Sequence, residues 1–163
     1  MNISTYSDEL ELNKITLSST TTKEKLMTNT VSWEGWPEKS DGSTTSYRTI
    51  VNSNNNKKLG DVYLIVDLSE PFSKNALLCS WRFAPEKLMM GEQSKPEGKV
   101  TKSLRAWFKS ETSIQLPVSG PWGHIDAAYD PHNLTGTIVC NYRSSFRDEG
   151  EWQRYCRRNK ITY

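Results

Sequence analysis

Residues 123–133, GHIDAAYDPHN, hold both histidines of the chain, His124 and His132, and also Asp126 and Asp130. Imidazole and carboxylate groups ligate zinc and non-haem metals, and they serve as general acids and bases. Residues two positions apart on a strand point to the same face, so His124 and Asp126 would be neighbours there. His124, Asp126 and His132 are therefore the candidate metal ligands, or the candidate residues of a small metal-dependent or acid/base hydrolase.

The same segment fits a turn better than a metal site. Asp130 followed by Pro131 is typical of the first two positions of a β-turn. A protein metal site usually takes three or more protein ligands, and this segment alone does not supply them on one face. We therefore predict a strand end and a turn, with no bound metal and no cofactor.

Common catalytic signatures are absent from the sequence. It contains no GxSxG, HExxH, GxxxxGK or GxGxxG pattern. With 19 acidic residues, a pair of glycosidase carboxylates is possible, but no pattern in the sequence identifies such a pair. No family signature is recognised, and we predict that the protein is not an enzyme.

Three tryptophans in loop-like sequence are candidates for contact with a ligand or a membrane. Trp33 and Trp36 lie in WEGWP, and Trp122 lies in SGPWGH. An indole ring combines an apolar body with a polar tip, which suits stacking on a sugar or insertion at a lipid interface. The opposing interpretation is packing in the core, because tryptophan is highly buried on average.

The C-terminal end is rich in basic residues. Six of them form a candidate nucleic-acid or phosphate-binding set: Arg143, Arg147, Arg154, Arg157, Arg158 and Lys160. Acidic residues come before most of this set, in the segment 148–151. That order also complements a helix dipole, with acids first and bases last, so a purely structural role stays open.

The segments that would position these residues are predicted to be mainly strands. They are rich in β-branched and aromatic residues, and Gly, Pro, Asn or Ser separates them. Residues 100–109 also fit a helical face through Val100, Leu104 and Trp107, but we assign a strand because the neighbouring segments are strands. The predicted strands are 46–51, 61–69, 76–83, 100–109, 113–118, 124–129 and 135–142, with the first two forming a hairpin.

Helices do not alternate with these strands, so we predict an all-β fold: an antiparallel β-sandwich, jelly-roll-like or similar, with a short C-terminal helix. The 163 residues suit one domain. We divide the chain into a flexible N-terminal arm (1–14), a β-sandwich domain (15–146) and a basic C-terminal helix and tail (147–163). Trp152, Tyr155 and Cys156 share a helical face, so Trp152 should dock the helix on the sheet.

Overall composition limits the environment. Lys and Arg number 21 against 19 acids, a net charge of +2, so any polyanion site must come from local clustering. Three cysteines lie far apart, which predicts reduced thiols. There is no signal-like N-terminus and no apolar run near the roughly 20 residues of a membrane span. We expect a cytoplasmic protein, in the host cytoplasm or virion if viral.

The leading hypothesis is a non-enzymatic, self-assembling binding protein of viral matrix or capsid type. It would associate with itself and contact nucleic acid or anionic membrane through the basic end. The alternative is a carbohydrate- or lipid-binding β-sandwich, a lectin or membrane-binding toxin, that uses the three tryptophans. The third hypothesis is the hydrolase at His124 and Asp126. The step from fold to function is an analogy of architecture.

Overall fold

The computed structural model describes residues 2–3, 8–12, 15–51, 59–89, 97–130 and 135–162. The strands in these ranges are β1 (Asn2–Ile3), β2 (Leu10–Leu12), β3 (Ile15–Leu17), β4 (Glu34–Gly35), β5 (Ser46–Val51), β6 (Val62–Leu68), β7 (Leu78–Pro85), β8 (Val118–Gly120), β9 (Gly123–Asp130) and β10 (Thr135–Tyr142). The helices are α1 (Lys23–Thr28), α2 (Glu86–Met89), α3 (Glu97–Thr112) and α4 (Glu149–Asn159), and Arg143–Ser145 form a 3-10 turn.

Seven strands form one antiparallel sheet in the order β4-β5-β6-β7-β10-β9-β8. β6 shows why its residues form a strand: Val62, Leu64 and Val66 alternate along one face, and all three are fully buried. The predicted hairpin of β5 and β6 is confirmed, with Tyr47 opposite Val66. In the middle of the sheet, β7 pairs with β10 and joins the two halves of the chain.

A small second sheet, β1-β2-β3, covers one part of the same core. Leu10, Leu12, Ile15 and Leu17 alternate with exposed residues and are at most 6% exposed. Part of the stretch expected to be a flexible arm, residues 1–14, is therefore β structure packed on the domain. Its polar composition concealed the two buried leucines, which point to one face because they are two positions apart.

The strand predicted at 100–109 is wrong, because these residues lie inside the 16-residue helix α3. Val100, Leu104, Trp107 and Phe108 are its buried positions, and their spacing is that of one helical face. The rings of Trp107 and Phe83 meet edge to face, with centroids 5.7 Å apart. The strand predicted at 113–118 is also misplaced, since only Val118–Gly120 pair with the sheet.

Helix α4 confirms the predicted C-terminal helix, and Trp152 docks it as expected. Trp152 is fully buried. The Asp148 carboxylate caps the start of the helix by accepting a hydrogen bond from the Glu151 amide at 2.8 Å. Asn141 Nδ2 donates to Tyr155 Oη at 3.0 Å. Asn141 and Gly136 point to opposite faces of β10, so β10 lies between α4 on one face and α3 on the other.

The predicted all-β class, with antiparallel sheets and a short C-terminal helix, is confirmed. Cys79, Cys140 and Cys156 are unpaired. Burial raises the pKa of the Cys140 and Cys156 thiols, so both are held as neutral packing groups. Within the described ranges, none of the helices is long and apolar enough to cross a membrane.

Candidate functional site

His124 lies on β9 as part of the packing between the sheet and α4. It is 6% exposed, and its Nδ1 is 2.9 Å from the Ser119 hydroxyl on β8. Its ring and that of Tyr155 meet in a T-shaped arrangement, with centroids 6.2 Å apart. Burial lowers the pKa of His124, and this effect outweighs the opposing attraction of the Asp126 carboxylate. The imidazole is therefore held neutral by its surroundings.

Asp126 is occupied by an ion pair rather than aimed at an open site. Arg105 of α3 donates to both carboxylate oxygens, at 2.9 and 2.8 Å, and the Ala127 amide donates to Oδ1 at 2.7 Å. His132 lies outside the described residues, as does most of the predicted turn at 130–133. Among the residues that are described, no group of three or more His, Cys, Asp or Glu side chains could hold a metal ion.

The three candidate tryptophans lie at opposite edges of the large sheet. Trp33 and Trp36 flank β4, whereas Trp122 sits in the turn between β8 and β9, and β4 and β8 are the two outermost strands. Trp33 and Trp122 are half-buried and pack against the core. Trp36 is 41% exposed. The three rings therefore do not form one contact surface.

Trp36 belongs to a preformed cluster on the outer face of β5. The Arg48 guanidinium lies 3.5 Å from the centroid of the Trp36 ring and 5.0 Å from that of Tyr63. Arg48 also donates to Glu34 at 2.8 Å, which lowers the pKa of that carboxyl. Ile50, beside Tyr63 in the register, is 52% exposed. Trp, Tyr and Arg are enriched at protein interfaces.

The predicted basic set is divided between paired and open side chains. Arg143 and Arg147 form ion pairs with Glu149 and Asp148, at 2.6 and 3.4 Å. Arg154, Arg157, Arg158 and Lys160 are exposed and carry no ion pair among the described residues. Arg157 and Arg158 occupy the last turn of α4, where they complement its dipole. A role for the set as contact residues stays a prediction.

Trp122 and Arg143 are brought together at a groove of about 440 Å³ between the β8–β9 turn and α4. Phe146, Asp148 and Trp152 also line it. Trp122 folds back over Gly120, where a Cβ would lie 2.5 Å from the indole nitrogen. The Arg143 amide donates to the Trp122 carbonyl at 2.8 Å. No sequence pattern connects these two residues, because β9 and β10 separate them along the chain.

The sequence interpretation missed a second groove, of about 330 Å³, between α1 and the loop that joins β6 to β7. We call it the α1 groove. Its lining residues are Lys23, Glu24, Met27, Thr28, Phe72 and Lys74. Phe72 is 71% exposed, the highest value among the exposed large hydrophobic residues of the described chain. Residue type cannot signal such a site, because Phe72 and the buried Phe83 look alike in the sequence.

These features are typical of a protein that works by contact with another macromolecule. His124 and Asp126 have partners within the fold, whereas Met27 and Phe72 face solvent. Large exposed apolar side chains on a stable framework are typical of binding surfaces.

Comparison with known proteins identifies the class. A family model described as the RhsI1 immunity protein matches residues 1–161. The chain belongs to the RhsI1 immunity protein family. It is also similar to a chain in the solved structure described as "Rhs1-CT in complex with cognate immunity protein RhsI1", at 64% identity and a TM-score of 0.88. That match covers 100% of this chain and 99% of the other. No curated protein matches this chain.

The predicted viral matrix or capsid function is wrong, because the chain belongs to an immunity protein family. The lectin or membrane-binding alternative and the hydrolase alternative are wrong for the same reason. The predicted partners, namely a second copy, nucleic acid, anionic lipid or a sugar, are also wrong, since the solved relative is in complex with Rhs1-CT. The analogy failed because one compact β domain serves many functions. The cytoplasmic location stays a prediction.

Proposed function

We propose that this chain is an immunity protein that binds the C-terminal toxin domain of an Rhs protein and neutralises it. One observation carries the proposal: over its whole length the chain is 64% identical to a protein whose structure is described as a complex of RhsI1 with Rhs1-CT. At a TM-score of 0.88, the two chains share the fold that would present the binding surface.

Neutralisation would come from occupancy of the toxin surface rather than from chemistry. Family membership agrees with the expectation of a binding protein and not an enzyme. His124 is buried and neutral, and Asp126 is fully engaged with Arg105, so these two groups serve the packing of the domain. The exposed groups at the α1 groove are held by α1 and by a hydrogen-bonded loop. Such preorganisation favours tight binding, because little freedom is lost in the complex.

The test is a titration of the purified chain with Rhs1-CT by isothermal titration calorimetry, with RhsI1 as the positive control. We expect a one-to-one complex with a Kd below about 100 nM, within the range of specific protein pairs. Co-expression with Rhs1-CT should also protect growing cells. If RhsI1 binds and protects but this chain does neither, the proposal is wrong.

A further inference from the structure

Exposed apolar side chains are concentrated on α1 and on the loop between β6 and β7. Five large hydrophobic residues of the described chain are exposed: Met27, Trp36, Ile50, Phe72 and Leu77. Three of these five belong to α1 or to the loop between β6 and β7. Met27 and Phe72 line the same groove. Apolar side chains left in water forgo the free energy of burial, so a cluster of this kind is typical of an interface.

The loop that carries Phe72 is fixed by hydrogen bonds from both of its ends. The Glu70 carboxylate accepts from the Phe72 amide at 3.2 Å and from the Ser73 amide at 3.1 Å. Ser69 pairs with Leu77 through its amide and its hydroxyl, at 2.9 and 3.0 Å. The exposed Phe72 ring is therefore presented by a closed loop and not by a free one.

Helix α1 holds the other side of the same loop. The amides of Lys23 and Glu24 donate to the carbonyls of Ala76 and Lys74, at 2.8 and 3.0 Å. The Lys23 ammonium donates to the Pro71 carbonyl, next to Phe72. Both walls of the α1 groove are thus connected, and little conformational freedom remains to be lost when a partner binds.

The charges at the groove indicate the chemistry of the partner. Lys23 and Lys74 line it against one acid, Glu24. The Glu70 carboxylate does not line the groove and is turned to the amides of its own loop. Lys74 is exposed and has no ion pair among the described residues. An apolar side chain flanked by carboxylates would be complementary to this rim.

We propose that the α1 groove is where this chain anchors the toxin domain, with Phe72 as the central contact and an apolar, acid-flanked segment of the toxin as its occupant. This inference rests on the proposed function and gives it a location. Interfaces concentrate their binding energy in a few central aromatic or basic residues, and Phe72 beside Lys74 provides such a pair.

The experiment compares three forms of the full chain against Rhs1-CT in the same calorimetric titration: the unaltered chain, Phe72→Ala and Ile50→Ala. The two substitutions are matched, because both remove an exposed apolar side chain and neither opens the core. Phe72→Ala should weaken affinity about 30-fold or more. Ile50→Ala should stay within about 3-fold. Thermal unfolding of each variant checks that the fold is intact.

A charge exchange tests the rim separately. Lys74→Glu should slow association with Rhs1-CT, and the effect should shrink as salt rises. Lys109→Glu, an exposed lysine on α3, is the matched control and should have no such effect. Unchanged affinity for Phe72→Ala would overturn the groove assignment while the unaltered chain still binds. Loss of affinity in Ile50→Ala instead would move the interface to the β5 face. No binding by the unaltered chain would overturn the proposed function itself.

Discussion

Gly136 of β10 touches Val100 of α3 so closely that no side chain fits at position 136. A Cβ built there would lie 2.3 Å from Cγ1 of Val100 and 3.0 Å from Cδ1 of Leu104. Val100 and Leu104 are both buried on the inner face of α3. The helix therefore packs directly on the backbone of β10, and glycine is what allows this approach.

Gly136→Ala should lower the free energy of unfolding by about 1–3 kcal/mol, because the added methyl group forces α3 away from the sheet. Urea unfolding followed by tryptophan fluorescence measures the change. Gly98→Ala is the control: it lies in the first turn of α3 with no atom within 4 Å of the added carbon. That variant should be unchanged or up to about 1 kcal/mol more stable. Equal effects at the two positions would contradict the close contact.

Trp152→Ala should cost about 3–5 kcal/mol of stability, because it removes the side chain that docks α4. Trp152 is fully buried, and its ring lies 5.1 Å from that of Phe146 and 5.7 Å from that of Tyr155. Gln153→Ala, on the exposed side of the same helix, should stay within about 0.5 kcal/mol in the same urea titration. A loss below about 1 kcal/mol for Trp152→Ala would mean that α4 is not held by this ring.

Tyr142→Phe should destabilise the fold by about 1–3 kcal/mol, although it removes a single oxygen. The Tyr142 hydroxyl accepts from Trp81 Nε1 and donates to the Asp8 carbonyl, both at 3.2 Å. Burial raises the pKa of Tyr142, so the hydroxyl keeps its proton. Tyr63→Phe removes an oxygen with no hydrogen bond in the described chain, and equilibrium unfolding should show almost no change. Equal costs would exclude a role for the buried hydroxyl.

Stability should fall as the pH drops below about 6.5, partly because of His124. Its pKa in the folded chain lies below the ordinary 6.5, because burial disfavours the charged ring. Between pH 6.5 and the pKa of the folded chain, the unfolded chain therefore binds a proton that the folded chain does not bind. The stability present above pH 6.5 is lost as the pH falls through the folded pKa.

Urea titrations between pH 7.5 and 5 test this sign. His124→Asn should flatten the dependence of the unfolding free energy on pH. His132→Asn removes the chain's other imidazole and should leave the contribution of His124 in place. An identical slope in His124→Asn and the unaltered chain would show that His124 is not the group responsible.

Much of the fold follows from local patterns. β6 is readable because VYLIVDL is rich in β-branched residues and ends at polar loops. α4 is readable because Trp152 and Cys156 fall on one helical face, with acids at its start and arginines at its end. The α3 sequence fits both the helical and the strand period, and the neighbouring strands were a poor guide to its secondary structure. The contact that decides for a helix, between Val100 and Gly136, joins residues far apart in sequence.

The binding surface was harder to predict because it depends on exposure. His124 and Asp126 drew attention by their chemistry, yet the fold uses both for packing. Phe72 belongs to no sequence motif. Its exposure is evident only in the folded chain, where the closed loop between β6 and β7 presents it to solvent. A surface that binds a protein needs shape and rigidity rather than a set of reactive groups, so sequence patterns alone give it little signal.

The strand order also determines when the parts of the molecule can form. β4 to β7 and β8 to β10 are two runs of strands that pair with close sequence neighbours, and each can begin to assemble by itself. β7 and β10 must then find each other across the intervening chain: Trp81 and Tyr142, which share a hydrogen bond, are 61 positions apart. Pairing over such distances carries a loop-closure cost and slows folding. We therefore expect the bond between Trp81 and Tyr142 to form late in folding, when the two halves of the sheet join.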